Sequence, residues 1–248
     1  MGRSSDWALE VAEHQYEEQR ADWIRRELND IDADDDHPRW EELADLFDLE
    51  ASNWEEFLED EYQWHKDQEH SDFYVEFVRS TDSVRTVLAS HLDPAVTEMV
   101  LKMAYVQAVT AMETYLSDTL KTLVLGNARY LANTAEKLKE VAQRKFSLAD
   151  FLQDNTLAEK VVFEQLCKYL YHDVPKVMIL YREALGFPNS YDLEKLIQIT
   201  KNRHDLVHRN GKGNDGARVQ IDFVSVDAAI SEICSFVKSV ETGLESYR

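Results

Sequence analysis

DPAVTEMVLKMAYVQAVTAMETYLSDTLKTLVLG, residues 93–126, is the stretch on which the fold turns. Met99, Val100, Met103, Ala104, Ala108, Met112, Leu116 and Leu120 recur at helical spacing and make a near-continuous apolar stripe. Asp93 is a suitable N-cap, Pro94 fits a first helical turn, and Gly126 is a helix stop. The three signals agree on one long helix.

On the C-terminal side, a helix is expected over about 128–143, then a short turn capped by Ser147, then a helix over 156–172 with Val161, Val162, Leu166, Tyr169 and Leu170. Pro175 interrupts this pattern, which resumes to Gly186. Asn189 or Ser190 opens a helix carrying Leu193, Leu196, Ile197 and Thr200, and a last helix starts near Asp227. Between Ala217 and Val226, Val219, Ile221 and Phe223 alternate with polar residues, a short strand-like stretch. A lone stretch of this kind builds no sheet. The reading is an all-α protein, with a bundle of about four main helices over residues 91–248. Only 7 Gly and 4 Pro occur in 248 residues, which leaves little of the punctuation that strand-and-turn folds need.

On the N-terminal side, Ser5 is placed to cap a first helix, Asp36 precedes a run beginning near Pro38, and Ser52 with Glu55 reads as a capping box for a third start. All five Trp residues, at 7, 23, 40, 54 and 64, lie here. They read as helix-packing anchors, with a partner-binding groove as the alternative. Residues 1–90 hold 27 acidic and 8 basic side chains, which puts −19 of the net charge of −21 in this segment. Two parts are therefore expected: an acidic, Trp-rich helical region over 1–90 and a bundle domain over 91–248. A field of that sign repels nucleic acid and anionic membrane at long range, which argues against a nonspecific nucleic-acid coat.

Cys167 and Cys234 stand apart, without a CxxC pair or a His-Cys cluster, so neither a zinc ribbon nor a disulfide framework is expected. The start MGRSSDWALE has no apolar leader core, and Asp6 breaks the myristoylation pattern. No apolar run approaches the roughly 20 residues that span a bilayer. These readings place the protein in the cytoplasm, away from membrane.

The chemistry concentrates in KNRHDLVHRNG, residues 201–211, at the end of a helix whose earlier turns are ordinary. Over 201–218, Lys201, Arg203, Arg209, Lys212 and Arg218 face only Asp205 and Asp215, a local charge of +3. At about 100° per residue, His204 and His208 share a face, whereas Arg203 and His208 lie about 140° apart. Helix geometry alone does not pair them, so a long Arg side chain, the helix end or a second copy of the chain is needed. An imidazole titrates near neutrality and suits proton transfer at a ribose 2′-hydroxyl and a leaving 5′-oxygen. A guanidinium offers forked donors to phosphate oxygens.

Other readings of the same residues stay open. A helix C-terminus favours cations such as Arg203, His204, His208 and Arg209 through its dipole, with no catalysis involved. His204 and His208 also have the spacing of the two zinc ligands in HExxH, although Asp205 stands where the Glu belongs and no third His follows. In a further reading, the acidic region binds a basic partner and the bundle only dimerises.

RHDLVH, residues 203–208, resembles the signature of the HEPN superfamily: an Arg, four intervening residues and a His near the end of a bundle helix. The 94–125 helix, with AMETYLSDTL at 111–120, is similar to that family's first helix, and 227–246 to its last. The run RHDLVHRNGK most resembles the RiboL-PSP-HEPN branch. The likeness covers about 91–248. It implies metal-independent RNA cleavage leaving a 2′,3′-cyclic phosphate, without a cofactor, in a homodimer, often in toxin–antitoxin or antiviral defence systems. On this resemblance His208 is the acid/base, Arg203 the phosphate anchor and His204 auxiliary. Lys201, Arg209 and Lys212 are the accompanying RNA-binding candidates, and the acidic N-terminal region is a place for an antitoxin or activator protein.

Overall fold

The computed structural model describes the backbone of residues 3–188, 190–209, 211–213 and 216–246. Within those ranges it describes the side chains of His14 and of residues 16–245. The described residues are helical, with no strand among them: α1 (Arg3–Leu28), α2 (Trp40–Asp67), α3 (His70–Ala89), α4 (Pro94–Leu125), α5 (Ala128–Lys137), α6 (Lys139–Ala142), α7 (Leu148–Gln153), α8 (Leu157–Lys168), α9 (Val174–Leu185), α10 (Glu194–His208) and α11 (Phe223–Ser246). None of them is long and apolar enough to cross a membrane.

The chain forms two compact units. One comprises residues 1–63 with 146–155, the other 64–145 with 156–248. The expected boundary at 90/91 differs from this division. Phe73, Phe77 and Val84 of α3 are buried against α4, so α3 belongs with the bundle.

In the first unit α1 and most of α2 make an antiparallel hairpin. Tyr16 Oη donates to Asp48 Oδ1 (2.8 Å) and Arg20 Nη1 pairs with Asp48 Oδ2 (2.9 Å), while Trp23 packs on Phe47 and Arg25 lies over the Trp40 ring. Trp23, Trp40 and Trp54 are half-buried, as packing anchors are. The expected third start at Ser52 is absent, because α2 runs unbroken through it: no Pro or Gly interrupts 40–67, and Ser alone does not end a helix. Ser5 as a cap lies outside the described side chains.

The second unit is built around α4. Asp93 Oδ1 accepts from Ala95 N (2.8 Å) with Pro94 in the first turn, and Gly126 closes the helix, as its sequence indicates. Ala108, Val109, Met112, Leu116, Leu120 and Val124 are fully enclosed. Burial around most of its circumference is what a centrally placed apolar helix requires. Helices α3, α5, α8, α9, α10 and α11 surround it. Gly186, in the left-handed region at φ 74°, ends α9 in the way its position suggests.

Four local expectations change. The 128–143 helix breaks at Leu138, whose extended backbone separates α5 from α6. The strand-like 217–226 stretch contributes an isolated bridge from Arg218 to Lys212 and is helical from Phe223 on. There α11 begins earlier than Asp227, because Asp222 Oδ1 accepts from Ser225 N (2.7 Å) and Ser225 Oγ accepts from Asp222 N (2.9 Å), a reciprocal cap. Of the two proposed starts for α10, Asn189 lies outside the described residues. Asp192 accepts from Glu194 N at the observed start, beyond Ser190.

Candidate active site on helix α10

Helix α10 is held to the bundle by Leu196 and Ile199, both buried, and by a polar ladder. Gln198 Nε2 donates to Asn202 Oδ1 (2.8 Å), Asn202 Nδ2 to Tyr105 Oη (3.3 Å), and Tyr105 Oη to the Ile199 carbonyl (3.4 Å). Its end is set by the Asp205 carbonyl, which accepts from Arg209 N (3.1 Å) and Gly211 N (2.9 Å). Gly211 itself lies in the left-handed region at φ 77°, a conformation that glycine adopts without steric cost. The chain then folds back, with Val219 N donating to the Gly211 carbonyl (2.9 Å).

This architecture sorts the charged residues of 201–212. Ile197, Lys201, His204 and His208 fall on one outward stripe and are exposed. The His204 and His208 rings lie in tilted contact, 4.7 Å between centroids. Arg203 turns the other way, to the flank facing α4, where its Nη2 lies 3.7 Å from Glu113 Oε2. Its side chain is 22% exposed, so it reaches solvent at an edge. Among the described residues no hydrogen bond or ion pair joins Arg203 to His208 within the chain. Asp205, 4% exposed, accepts from Arg209 Nη1 (3.1 Å), which ties Arg209 to the helix end. Lys201 and Lys212 are exposed.

Sequence reading missed Glu113. Its signal was a lone carboxylate inside the apolar run Met112–Leu116 of the central helix. Burial raises its pKa, opposed by the charge of Arg203 and, less, of His172. Glu113 lines a shallow hollow of about 300 Å³ with Ser117, Asp118, Tyr169 and His172. No group of three or more His, Cys, Asp or Glu among the described residues is arranged to hold a metal ion. Asp205, which an HExxH-like arrangement would make the base, is instead turned inward onto Arg209.

An all-helical bundle that presents Arg203 and His208 near the end of one helix defines a domain of the HEPN superfamily. The model of the RiboL-PSP-HEPN family matches residues 76–246, and the chain belongs to that family. The match begins within α3, in agreement with that helix packing in the bundle. No curated protein and no solved structure matches the chain.

Proposed function

We propose that the protein is a metal-independent endoribonuclease acting as a homodimer, with His208 as acid/base, Arg203 as phosphate anchor and His204 as auxiliary. The observation that carries this reading is the exposed His204–His208 pair on α10, directly after a solvent-edge Arg203, in a chain of the RiboL-PSP-HEPN family. In the proposed reaction the 2′-oxygen attacks phosphorus, the bond to the 5′-oxygen breaks, and a 2′,3′-cyclic phosphate and a 5′-hydroxyl result. One proton leaves the 2′-hydroxyl and one arrives at the 5′-oxygen, transfers suited to imidazole. The guanidinium offsets the charge that grows on the phosphate.

A homodimer answers the geometric difficulty. Arg203 and His208 diverge on one helix, so the imidazole that completes a given Arg203 belongs to a second copy. Exposed Ile197, on the stripe of His204 and His208, and Val207, next to His208 in the chain, supply apolar surface on α10. The same surface favours the second reading, a noncatalytic dimerisation module that binds a protein partner or nucleotide. An RNA-cleaving enzyme must be restrained, and we propose a toxin or antiviral-defence role in which an antitoxin or activator binds the acidic N-terminal region.

The deciding experiment is incubation of purified protein with RNA in EDTA, with product ends analysed and the oligomeric state measured by light scattering. Cleavage to cyclic phosphate that disappears in His208→Ala and Arg203→Ala, in a dimer, is the expected result. A folded dimer that cuts no RNA supports the noncatalytic reading, and undiminished cutting by both variants refutes the residue roles. For the cellular role, growth arrest on expression, absent in His208→Ala, is expected; equal growth of both strains overturns it.

A further inference from the structure

Two buried polar atoms at the Arg203–Glu113 contact lack a hydrogen-bond partner: the Nε of Arg203, a donor, and the Oε1 of Glu113, an acceptor. They belong to the same two groups whose other atoms, Nη2 and Oε2, already lie 3.7 Å apart. A guanidinium has two usable edges. Its side edge, Nε with Nη2, matches one carboxylate; its end edge, Nη1 with Nη2, matches a second anion. The unsatisfied atoms here are those that complete a side-edge fork. Leaving a buried donor and acceptor unpaired is costly, and pairing them with each other removes both costs at once. Closure from 3.7 Å to charge-assisted hydrogen-bond length requires a shift of roughly 1 Å.

We infer that Glu113 is the positioning residue of Arg203, holding the Nε/Nη2 edge of the guanidinium in a side-on fork so that the Nη1/Nη2 edge is presented to the scissile phosphate. The inference rests on the reading of Arg203 as phosphate anchor and adds a role on α4 that the α10 motif does not contain. Glu113 does not touch RNA. It fixes the rotamer of a long side chain that would otherwise lose freedom on binding, and its negative charge keeps the guanidinium seated at the α4 flank. His172 lines the same hollow as Glu113 and does not hydrogen-bond Oε1.

The test combines kinetics with a readout independent of turnover. In the full-length protein, Glu113→Gln and Glu113→Ala are expected to lower kcat about 10-fold and 100-fold, with KM changed less than about 3-fold, because charge on the phosphate grows in the transition state. Glu113→Asp, which keeps the charge, is expected to recover part of the loss. In nitrogen-15 NMR spectra the Arg203 Nε–H signal of the parent protein is expected to exchange slowly with water and to exchange fast in Glu113→Gln. Unchanged kcat in a folded Glu113→Gln whose parent loses activity in Arg203→Ala overturns the positioning role and leaves the nuclease reading standing. If the parent cuts no RNA, the nuclease reading fails by itself, and the NMR comparison alone decides whether the fork exists: an Nε–H signal indifferent to Glu113→Gln overturns it.

Discussion

The imidazoles of His204 and His208 lie 4.7 Å apart between ring centres, tilted by 42°, on the solvent side of α10. With the rings in contact one turn apart, only one can occupy the geometry of a given proton transfer, and the other orients it or shares its charge. His208→Ala is therefore expected to lower RNA cleavage by at least about 100-fold, and His204→Ala by about 10-fold or less. Initial rates on one defined RNA measure both. A larger loss in His204→Ala than in His208→Ala exchanges the two roles.

The cations beside this pair are not equivalent. Lys201 and Lys212 are exposed, whereas Arg209 is bound to the buried Asp205. If each lysine contacts one phosphate, Lys201→Ala with Lys212→Ala should weaken RNA binding and flatten its logarithmic salt dependence by about 1.4, at about 0.7 per contact on single strands. Arg209→Ala is expected to leave that slope nearly unchanged and to lower stability by about 1 kcal/mol, since Asp205 loses a donor in a partly solvated pair. Binding titrations at several salt concentrations and urea unfolding separate these effects. A full unit lost from the slope in Arg209→Ala contradicts the assignment.

Much of this organisation is legible in residues alone. Asp93, Pro94 and Gly126 mark the ends of α4 because capping is local, and the RHDLVH run carries its spacing on its face. What fails to show is what depends on distant partners. The sequence of α3 reads as part of an acidic N-terminal region, and only its contacts with α4 reveal Phe73 and Phe77 as core. Ser52 has the local form of a helix start but stands inside continuous α2. Glu113 is one carboxylate among 48 acidic residues, and its meaning appears only when α10 brings Arg203 to it.

His65 makes the bundle sensitive to acid. The ring is 1% exposed, with Nδ1 3.0 Å from Thr122 Oγ1 and the ring in a T-shaped contact with Phe163. Burial, aided by the charge of Lys121, lowers its pKa from 6.5 to about 3, despite Asp118 lying 3.8 Å from Nε2. The unfolded chain thus binds a proton that the folded one refuses. Stability from this group is complete above pH 6.5 and declines as pH falls from 6.5 toward 3, by about 2 kcal/mol at pH 5. Urea unfolding at pH 7, 6 and 5 reads the decline. His65→Gln should be less stable at pH 7 and flatter across this window; an equal slope in parent and variant assigns the acid sensitivity elsewhere.

Truncation discriminates between the two divisions of the chain. A cut after residue 90 discards Phe73, Phe77 and Val84, which are 7%, 4% and 8% exposed, and opens the groove of α4 that they fill. Losing a single buried Phe side chain costs about 3–5 kcal/mol, so losing all three exceeds the stability of most domains. The fragment 91–248 is therefore expected to lack a cooperative thermal transition, while 64–248 keeps one. This also decides how restraint by the acidic region is to be tested: cleavage by 64–248 above that of the full chain supports restraint by the residues removed, and equal or lower cleavage in a folded fragment removes the idea. A cooperative transition in 91–248 shows that the bundle closes without α3, and then the boundary near residue 90 is the correct one.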